Sequence, residues 1–342
     1  YQSYRQPGSC IKPLNVYTPY LQLGNTPDTK VTDSQIDGGP ANADASYAGE
    51  MTLTDAVKWS KNTVAWNIYQ QITPKTGSSF LIKMGFHKIW VDKDYNAGAL
   101  GGFTYGVTTE EMAGGYAALA NDGVYRKATC IRLIVNASNK TVVNETNRDS
   151  KVYDKSASRM MTQMLREVVL SGTGTSANVE NAVVAGKTGT TNASKDVWFC
   201  GYSKYYTTTV WAGYDYPKEM SGVNSRVNAI FKDFMTAVHT NLPVTDFSTV
   251  TQQTTQPETT AAVQEETESL PQETTAIVPE TTGIEQVTPQ QVPSTTAQVP
   301  TTTPYQRWTT APAQPKTTAP MQYGDIDATT RTDPDATARG EW

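Results

Sequence analysis

The stretch NAVVAGKTGTTNASKDVWFCGY, residues 181–202, places Lys187 directly after Gly186 and invites two interpretations. A phosphate-binding P-loop needs a further glycine five residues before Gly186, because that glycine lets the loop turn its N–H groups toward the phosphates. Asn181 occupies that position, and the residues after Thr191 have the β-branched and aromatic character of a strand rather than of a helix. The stretch therefore indicates two neighbouring strands that carry a Lys-Thr-Gly sequence, and not a nucleotide site.

Helical patterns surround this pair of strands. Apolar residues recur with helical spacing and predict helices over residues 8–24, 52–72, 108–120, 156–170 and 227–242. We expect Ser9 to cap the first helix, with Pro13 in its first turn, where a missing N–H costs least. The second helix is interrupted by the polar residues Ser60-Lys61-Asn62.

Further strand patterns complete the folded part of the chain. Residues 128–146 predict a hairpin with its tip at residues 136–140, and three strand-like runs follow at residues 182–191, 196–203 and 207–215. Helices first, then antiparallel strands, then a last helix favour an α+β fold with an antiparallel sheet flanked by helices over a parallel doubly wound sheet.

Composition divides the 342 residues into two parts near Phe247, the last phenylalanine. Residues 1–247 are long enough to bury a substantial core. Residues 248–342 are rich in Thr, Pro and Gln, and from Phe247 onward the chain has four basic and twelve acidic residues. Because such a segment buries too little apolar surface to offset its conformational entropy, we expect residues 248–342 to form a disordered tail.

Several functional classes are disfavoured by the same composition. Neither part carries the basic surface that nucleic-acid binding requires. Three cysteines without C-x-x-C spacing and two histidines make a structural zinc site unexpected, and we predict neither a metal nor a cofactor. An odd number of cysteines also argues against a framework of disulfides.

Catalysis by a serine nucleophile remains as a candidate function. A hydroxyl nucleophile needs a base, and lysine replaces histidine in that role when its pKa is lowered by burial or by a neighbouring cation. Three motifs occur in order: Ser9-x-x-Lys12 at a helix start, Ser60-x-Asn62 between helices, and Lys187-Thr-Gly on a strand. Singly each motif is common, but together they form the signature of serine acyl transferases that recognise penicillin.

The surrounding sequence strengthens this interpretation. Segments such as GSCIKPLNVYTPYLQLG, LGGFTYGVTTEEMAGGYAALANDGVY and DVWFCGYSKYYTTTVWAGYD resemble the transpeptidase domain of class A, bifunctional penicillin-binding proteins over about residues 1–240. The resemblance implies a D,D-transpeptidase that cross-links peptidoglycan stem peptides and is inhibited covalently by β-lactams. It also implies the transpeptidase fold shared with β-lactamases, with part of the domain preceding this chain.

The resemblance assigns a role to each motif residue. Ser9 would attack the penultimate D-alanine carbonyl, Lys12 would take its proton, and Ser60 would pass a proton to the leaving amine. Asn62 would hold the substrate amide, and Lys187 would keep the network cationic.

Binding of the substrate would fall to the residues around the third motif. Thr188 and Thr190 would bind the carboxylate of the substrate, and Gly189 would let an extended substrate lie along the strand edge. The backbone N–H groups of Ser9 and Thr190 would form the oxyanion hole. Cys10, which follows the nucleophile, departs from the small polar residue of many relatives, and we expect its thiol to be a packing element whose oxidation would inactivate the site.

Two rival functions use the same pocket. A hydrolase is the first, either a D,D-carboxypeptidase or a β-lactamase, although no E-x-x-L-N sequence that would supply a deacylating carboxylate lies between Ser60 and Lys187. The second is a non-catalytic β-lactam-sensing or wall-binding module.

The resemblance also implies a setting for the chain. A class A protein carries a glycosyltransferase domain and a membrane anchor upstream, works on the extracytoplasmic face of the bacterial membrane, and has partners in the cell-division or elongation machinery. Because the sheet of this family has five strands and begins before the nucleophile, we expect this chain to start inside its domain and to fold incompletely alone.

Overall fold

The computed structural model describes residues 2–144 and 149–248. These residues fall within one of two compact units into which the chain divides, the unit that ends at Thr260. The predicted tail, residues 248–342, lies outside the described residues apart from Ser248. Residues 145–148, at the end of the predicted hairpin, also lie outside them.

The described residues form α-helices and antiparallel strands, with short 3₁₀ turns between them. The helices are α1 Thr18–Leu21, α2 Leu53–Lys58, α3 Asn62–Ile72, α4 Pro74–Lys83, α5 Thr109–Ala120, α6 Lys155–Ser171 and α7 Val223–Val238. The strands are β1 Lys30–Asp33, β2 Gly49–Thr52, β3 Val124–Arg126, β4 Leu133–Val135, β5 Thr141–Asn144, β6 Asp149–Lys151, β7 Ala185–Thr190, β8 Asp196–Tyr202 and β9 Thr207–Gly213.

The central sheet has the order β7-β8-β9 and is antiparallel throughout, with Lys187 opposite Cys200. Side chains alternate along the fully buried strand β8. Trp198 and Cys200 join a large core with residues of α5 and α6, whereas Val197 and Phe199 join a smaller core with residues of α7. Helices thus cover both faces of the sheet, which confirms the predicted α+β fold.

The segment that carries Ser9, residues 8–21, is helical but changes type twice. It begins as a 3₁₀ turn at Gly8–Ile11, continues as a π-helix at Pro13–Tyr17 and ends in α1. Pro13 has no N–H to donate four residues back, so the carbonyl of Ser9 accepts from the N–H of Lys12, as in a 3₁₀ turn. The prediction that Ser9 caps the helix is wrong, because the helical segment begins at Gly8, which has a left-handed φ of 51°, and Pro7 occupies the cap position.

The other predicted elements are present. The break at residues 59–61 separates α2 from α3, and Thr108 forms a reciprocal capping box with Glu111 at the start of α5. Strands β4 and β5 form the predicted hairpin. Helix α7 begins four residues earlier than predicted, at Val223.

Candidate active site

The predicted site residues converge on one groove with a volume of about 1550 Å³. Five of them line it: Ser9, Ser60, Asn62, Thr188 and Thr190. The other three, Lys12, Lys187 and Gly189, are buried beneath its floor. The fold therefore brings together three motifs, the third of which is more than a hundred residues from the others in the chain.

Lys12 is fully buried and directs its side-chain nitrogen at the turn of residues 60–62, called the Ser60 turn below. Its Nζ donates to the carbonyl of Ser60 and to Oδ1 of Asn62, each over 2.8 Å, and lies 3.5 Å from Oγ of Ser60. The carbonyl of Lys61 is a further acceptor at 3.4 Å. Ser9 Oγ is not among the hydrogen-bond partners of Lys12 in the described part of the chain.

Lys187 reaches the same hydroxyl from the sheet. It is also fully buried, and its Nζ donates to Oγ of Ser60 over 2.8 Å and to its neighbour's carbonyl at Thr188 over 3.0 Å. Ser60 Oγ therefore lies within 3.5 Å of the side-chain nitrogens of both lysines. A hydroxyl in that position has partners for passing a proton in either direction.

Burial changes the protonation of both lysines. It holds the pKa of Lys12 well below the ordinary 10.5, and the positive charge of Lys187 lowers it further. Burial also lowers the pKa of Lys187, to about 8. The lowered pKa favours the neutral form of Lys12, while a pKa of about 8 leaves Lys187 mostly charged at neutral pH.

The Ser60 turn has an unusual backbone. Ser60 adopts φ 58°, a left-handed conformation that costs a residue with a side chain about 1–2 kcal/mol. This conformation sends Oγ toward the lysines while α3 starts two residues later. Strain of this kind persists only where neighbouring contacts hold it.

The hydroxyl of Ser9 is left available. Among the described residues its Oγ makes no hydrogen bond, and it lines the groove. The N–H of Thr191 donates to the carbonyl of Asp196, so the alternation of an antiparallel ladder turns the N–H of Thr190 outward. A Cβ built on Gly8 would lie 3.2 Å from that nitrogen, so the Ser9 segment and Thr190 N–H are adjacent.

Gly189 is required by packing, a reason that the sequence did not indicate. A Cβ at this position would lie 2.5 Å from the carbonyl oxygen of Pro7 and 2.8 Å from Sγ of Cys10. The missing side chain therefore lets the Ser9 segment press against β7, and this requirement does not depend on a substrate.

Cys10 links the Ser9 segment to the third motif by a hydrogen bond. Its thiol donates to the carbonyl of Lys187 over 3.1 Å, and its own carbonyl accepts from the hydroxyl of Tyr116 over 2.8 Å. Cys10 and Cys200 are fully buried, whereas Cys130 is exposed. The sequence singled out Cys10 only by its position, because the spacing to Lys187 and Tyr116 gives no sign of contact.

Both threonines of the third motif have polar neighbours that the sequence did not indicate. The hydroxyls of Thr188 and Thr173 lie 2.8 Å apart, and Thr190 donates to Oδ1 of Asn224 over 3.2 Å. Thr173 and Asn224 also line the groove. This end of the groove is therefore lined by neutral groups that can donate or accept hydrogen bonds.

The described residues offer neither a metal site nor a membrane span. Residues 2–144 and 149–248 contain no cluster of three or more histidine, cysteine or acidic side chains placed to hold a metal ion. In the same ranges every helix is too short or too polar to cross a lipid bilayer.

Comparison with known proteins gives the class of this fold and site. Residues 1–236 match the family model described as the penicillin binding protein transpeptidase domain. The chain belongs to this family of peptidoglycan transpeptidases, and its homologues are class A penicillin-binding proteins. The resemblance noted in the sequence is confirmed.

Individual relatives define the extent of the match. Penicillin-binding protein 1F of Bacillus subtilis is 35% identical over 245 residues, which are 68% of this chain and 34% of that protein. Penicillin-binding protein 1A of Aquifex aeolicus is 36% identical over 262 residues, 72% of this chain and 35% of that protein. The chain thus spans about a third of the length of the curated relatives it matches.

Solved structures share the fold. The penicillin-binding protein PonA1 from Mycobacterium tuberculosis superposes with a TM-score of 0.61 at 22% identity, over 72% of each chain. The D,D-transpeptidase domain of a peptidoglycan glycosyltransferase from Eggerthella lenta gives 0.56 at 22% identity, over 69% of this chain and 66% of that one.

Proposed function

We propose that this chain is a serine D,D-transpeptidase domain that cross-links peptidoglycan stem peptides through an acyl-enzyme on Ser9. The observation that carries the proposal is the convergence of Lys12 and Lys187 on Ser60 Oγ beneath a groove in which the hydroxyl of Ser9 is free of hydrogen bonds to described residues. Such a set supplies a nucleophile, a base and a proton shuttle without histidine.

In the acylation step Lys12 takes the proton of the Ser9 hydroxyl while Oγ forms a bond to the penultimate D-alanine carbonyl carbon. The N–H groups of Ser9 and Thr190 stabilise the resulting oxyanion, at about 3 kcal/mol for a donor of this kind. The C–N bond then breaks, and Ser60 relays the proton from Lys12 to the leaving D-alanine amine. Attack by an acceptor amine reverses these transfers and releases the cross-linked peptide.

Substrate contacts divide between the two sides of the groove. Asn62 already accepts from Lys12 at Oδ1 and donates one amide hydrogen to the carbonyl of Ala41, so its second hydrogen is left for a substrate carbonyl. Thr188 and Thr190 bind the terminal carboxylate of the donor peptide. Gly189 serves the approach of the Ser9 segment and leaves room along the strand edge.

A β-lactam mimics the D-Ala-D-Ala terminus and acylates the same serine in this scheme. The relative PonA1 has been solved in complex with penicillin V. We infer further that the domain acts at the extracytoplasmic face of the membrane, where peptidoglycan lies, within a bifunctional protein that also carries glycosyltransferase activity. Its partners there would be stem peptides and the cell-division or elongation machinery.

Intact-mass spectrometry after incubation with benzylpenicillin tests the proposal. The unmodified protein should gain one covalent adduct, and Ser9→Ala should gain none. Ser171→Ala, at the exposed end of α6, is the matched control and should react like the parent. An adduct that persists in Ser9→Ala refutes the assignment of the nucleophile.

Turnover separates the enzyme from a silent sensor. A D-Ala-D-Ala peptide or thioester with an acceptor amine should yield both cross-linked and released products. Acylation by β-lactam without any turnover of peptide would favour the sensing module, and release to water alone would favour a D,D-carboxypeptidase.

A further inference from the structure

A loop outside the three motifs lies against the Ser60 turn. Residues 34–48, called the strap below, connect β1 to β2 and are mostly exposed. Part of the strap forms a wall of the groove, including Ala41 and Asp44. One residue in it, Asn42, is almost fully buried, with 5% of its surface exposed.

The side chain of Asn42 holds the start of α3. Its Oδ1 accepts from the backbone N–H of Asn62 over 2.7 Å and from that of Thr63 over 3.4 Å. These N–H groups belong to the first turn of the helix, where no carbonyl of the helix itself can reach them. Asn42 therefore caps α3 from a distance of 20 residues in the chain.

The amide nitrogen of Asn42 is held in turn by a buried carboxylate. Nδ2 donates to Oδ1 of Asp33 over 2.6 Å and to the carbonyl of Ser46 over 2.8 Å. Asp33 is fully buried, and it also accepts from the hydroxyl of Thr63 and the N–H of Ala48. With both amide atoms engaged, Asn42 has one orientation available.

Lys61 closes the network from the Ser60 turn itself. Its Nζ lies 3.3 Å from Oδ2 of Asp33 and 3.2 Å from Oδ2 of Asp44. Burial alone would lower the pKa of Lys61, but hydrogen bonds to Asp44 and Asp33 outweigh it and raise the pKa, so the ammonium stays charged. The middle residue of the second motif is thus tied to the strap by charge.

The network reaches the catalytic groups through the backbone of the Ser60 turn. The carbonyls of Ser60 and Lys61 are acceptors for Lys12 Nζ, and the amide of Asn62 donates to Ala41 in the strap. Ser60 itself keeps a left-handed backbone, which needs support from its neighbours. A shift of this turn would move Ser60 Oγ, the acceptors of Lys12 and the amide of Asn62 together.

We propose that Asn42 is a positioning residue for acyl transfer: held by Asp33, it fixes the Ser60 turn so that Lys12, Ser60 and Asn62 stay aligned with Ser9. The inference rests on the proposed function, because alignment has a kinetic meaning only if Ser9 is acylated. It predicts that the strap controls the rate of bond formation more than it controls binding. A residue that served folding alone would change the melting temperature and leave the rate per folded molecule unchanged.

Stopped-flow acylation by a fluorescent penicillin separates the dissociation constant of the non-covalent complex from the acylation rate constant. We expect Asn42→Ala to lower the rate constant about 10- to 100-fold, since a misplacement of about 1 Å has effects of that order. The dissociation constant should change less than the rate constant, because the carboxylate end of the groove is untouched even if the Asn62 amide moves. Rates are compared well below each variant's melting temperature.

Exchange of the residues at positions 33 and 42 tests whether the acylation rate can be rescued. Asn42→Asp alone keeps the acceptor for Asn62 N–H but sets two carboxylates against each other at positions 33 and 42. The double variant Asp33→Asn with Asn42→Asp restores one donor and one acceptor across that contact, because the amide introduced at position 33 can donate where the carboxylate of Asp33 accepted. We expect the double variant to acylate at least about tenfold faster than Asn42→Asp, a coupling of the size seen for contacting residues.

The control is Asn181→Ala, which also removes an asparagine hydrogen bond to a distant carbonyl, that of Thr236, away from the groove. It should acylate like the parent protein. The inference is overturned if Asn42→Ala acylates within about twofold of the parent, or if Asn181→Ala slows acylation equally.

If Asn42→Ala does not fold, the comparison of Asn42→Asp with the double variant decides, and absence of rescue overturns the inference. Failure of the parent to acylate would instead refute the proposed function.

Discussion

The Nζ atom of Lys187 donates a hydrogen bond to Oγ of Ser60 over 2.8 Å, although 127 residues separate the two in the chain. Lys12 approaches the same hydroxyl from the other side. The contact joins the strand motif to the turn between α2 and α3, so the sheet and the helices meet at one hydroxyl group.

Removal of the Lys187 side chain should slow acylation strongly. In Lys187→Ala, Ser60 loses its charged donor and the groove loses a cation, so we expect the acylation rate constant to fall about 10²- to 10⁴-fold, the range for a group in proton transfer. Lys232→Ala on α7 is the control, because its side chain is partly exposed and its ammonium lies 3.9 Å from Glu180. Stabilisation of the parent protein by ATP in a thermal-shift assay would contradict this role and revive a phosphate site.

The rate of acylation should depend on pH with an alkaline limb set by Lys187. Burial lowers the pKa of Lys187 to about 8, so the donor to Ser60 loses its proton as the pH rises through that value and the rate should fall. On the acid side the rate should fall when Lys12 becomes protonated, because only the neutral amine accepts the Ser9 proton.

Lys187→Ala distinguishes the two limbs. Its low residual rate should no longer fall between about pH 7.5 and 9, because the group that titrates there is gone. An alkaline limb of unchanged midpoint in that variant would assign the titration to another residue.

Gly189→Ala should damage the site without touching a polar group. The new methyl would overlap the carbonyl of Pro7 and the thiol of Cys10, which forces the Ser9 segment off β7. We expect a loss of stability of about 1–3 kcal/mol, typical of overpacking, together with a slower acylation. Gly114→Ala is the matched control, since its methyl would meet the Tyr125 ring no closer than 3.1 Å on a helix that favours alanine.

Thiol reagents should react with Cys130 and spare the two buried cysteines. Cys10 and Cys200 are inaccessible, and burial raises the pKa of the Cys200 thiol, which disfavours the reactive thiolate. The folded protein should therefore give one equivalent with a chromogenic disulfide and the denatured protein three. Loss of penicillin binding in step with modification of a second thiol would show that Cys10 is accessible after all.

Much of the fold was predictable because its signals are local. Helical periodicity located α3, α5 and α6, and the alternation and turn residues around Lys187 located β7 and β8. The cap residue and the changing helix type of the Ser9 segment were missed, because they depend on the left-handed backbone of Gly8 and on Pro13, which periodicity does not detect.

Only the part of the site that the three motifs supply could be predicted from the sequence. The order of the three motifs along the chain is enough to group Ser9, Lys12, Ser60, Asn62 and Lys187 in one site. Contacts that depend on how separate elements pack leave no periodic trace in the sequence, and those of Asn42 and Tyr116 with the motifs were missed for this reason. Asn42 stands in the stretch DGGPANADAS, residues 37–46, whose small and turn-forming residues look like an ordinary loop.

At position 60, the residue that best fits the left-handed backbone differs from the residue that turnover requires. Glycine suits φ 58° better than any residue with a side chain, so the backbone alone favours glycine there. The proposed mechanism, however, needs a hydroxyl at this position that accepts the hydrogen bond of Lys187 and exchanges a proton with Lys12. A laboratory selection for heat resistance alone would lose the pressure that keeps serine at this position, whereas a selection for cell-wall synthesis would retain it and tolerate the conformational cost.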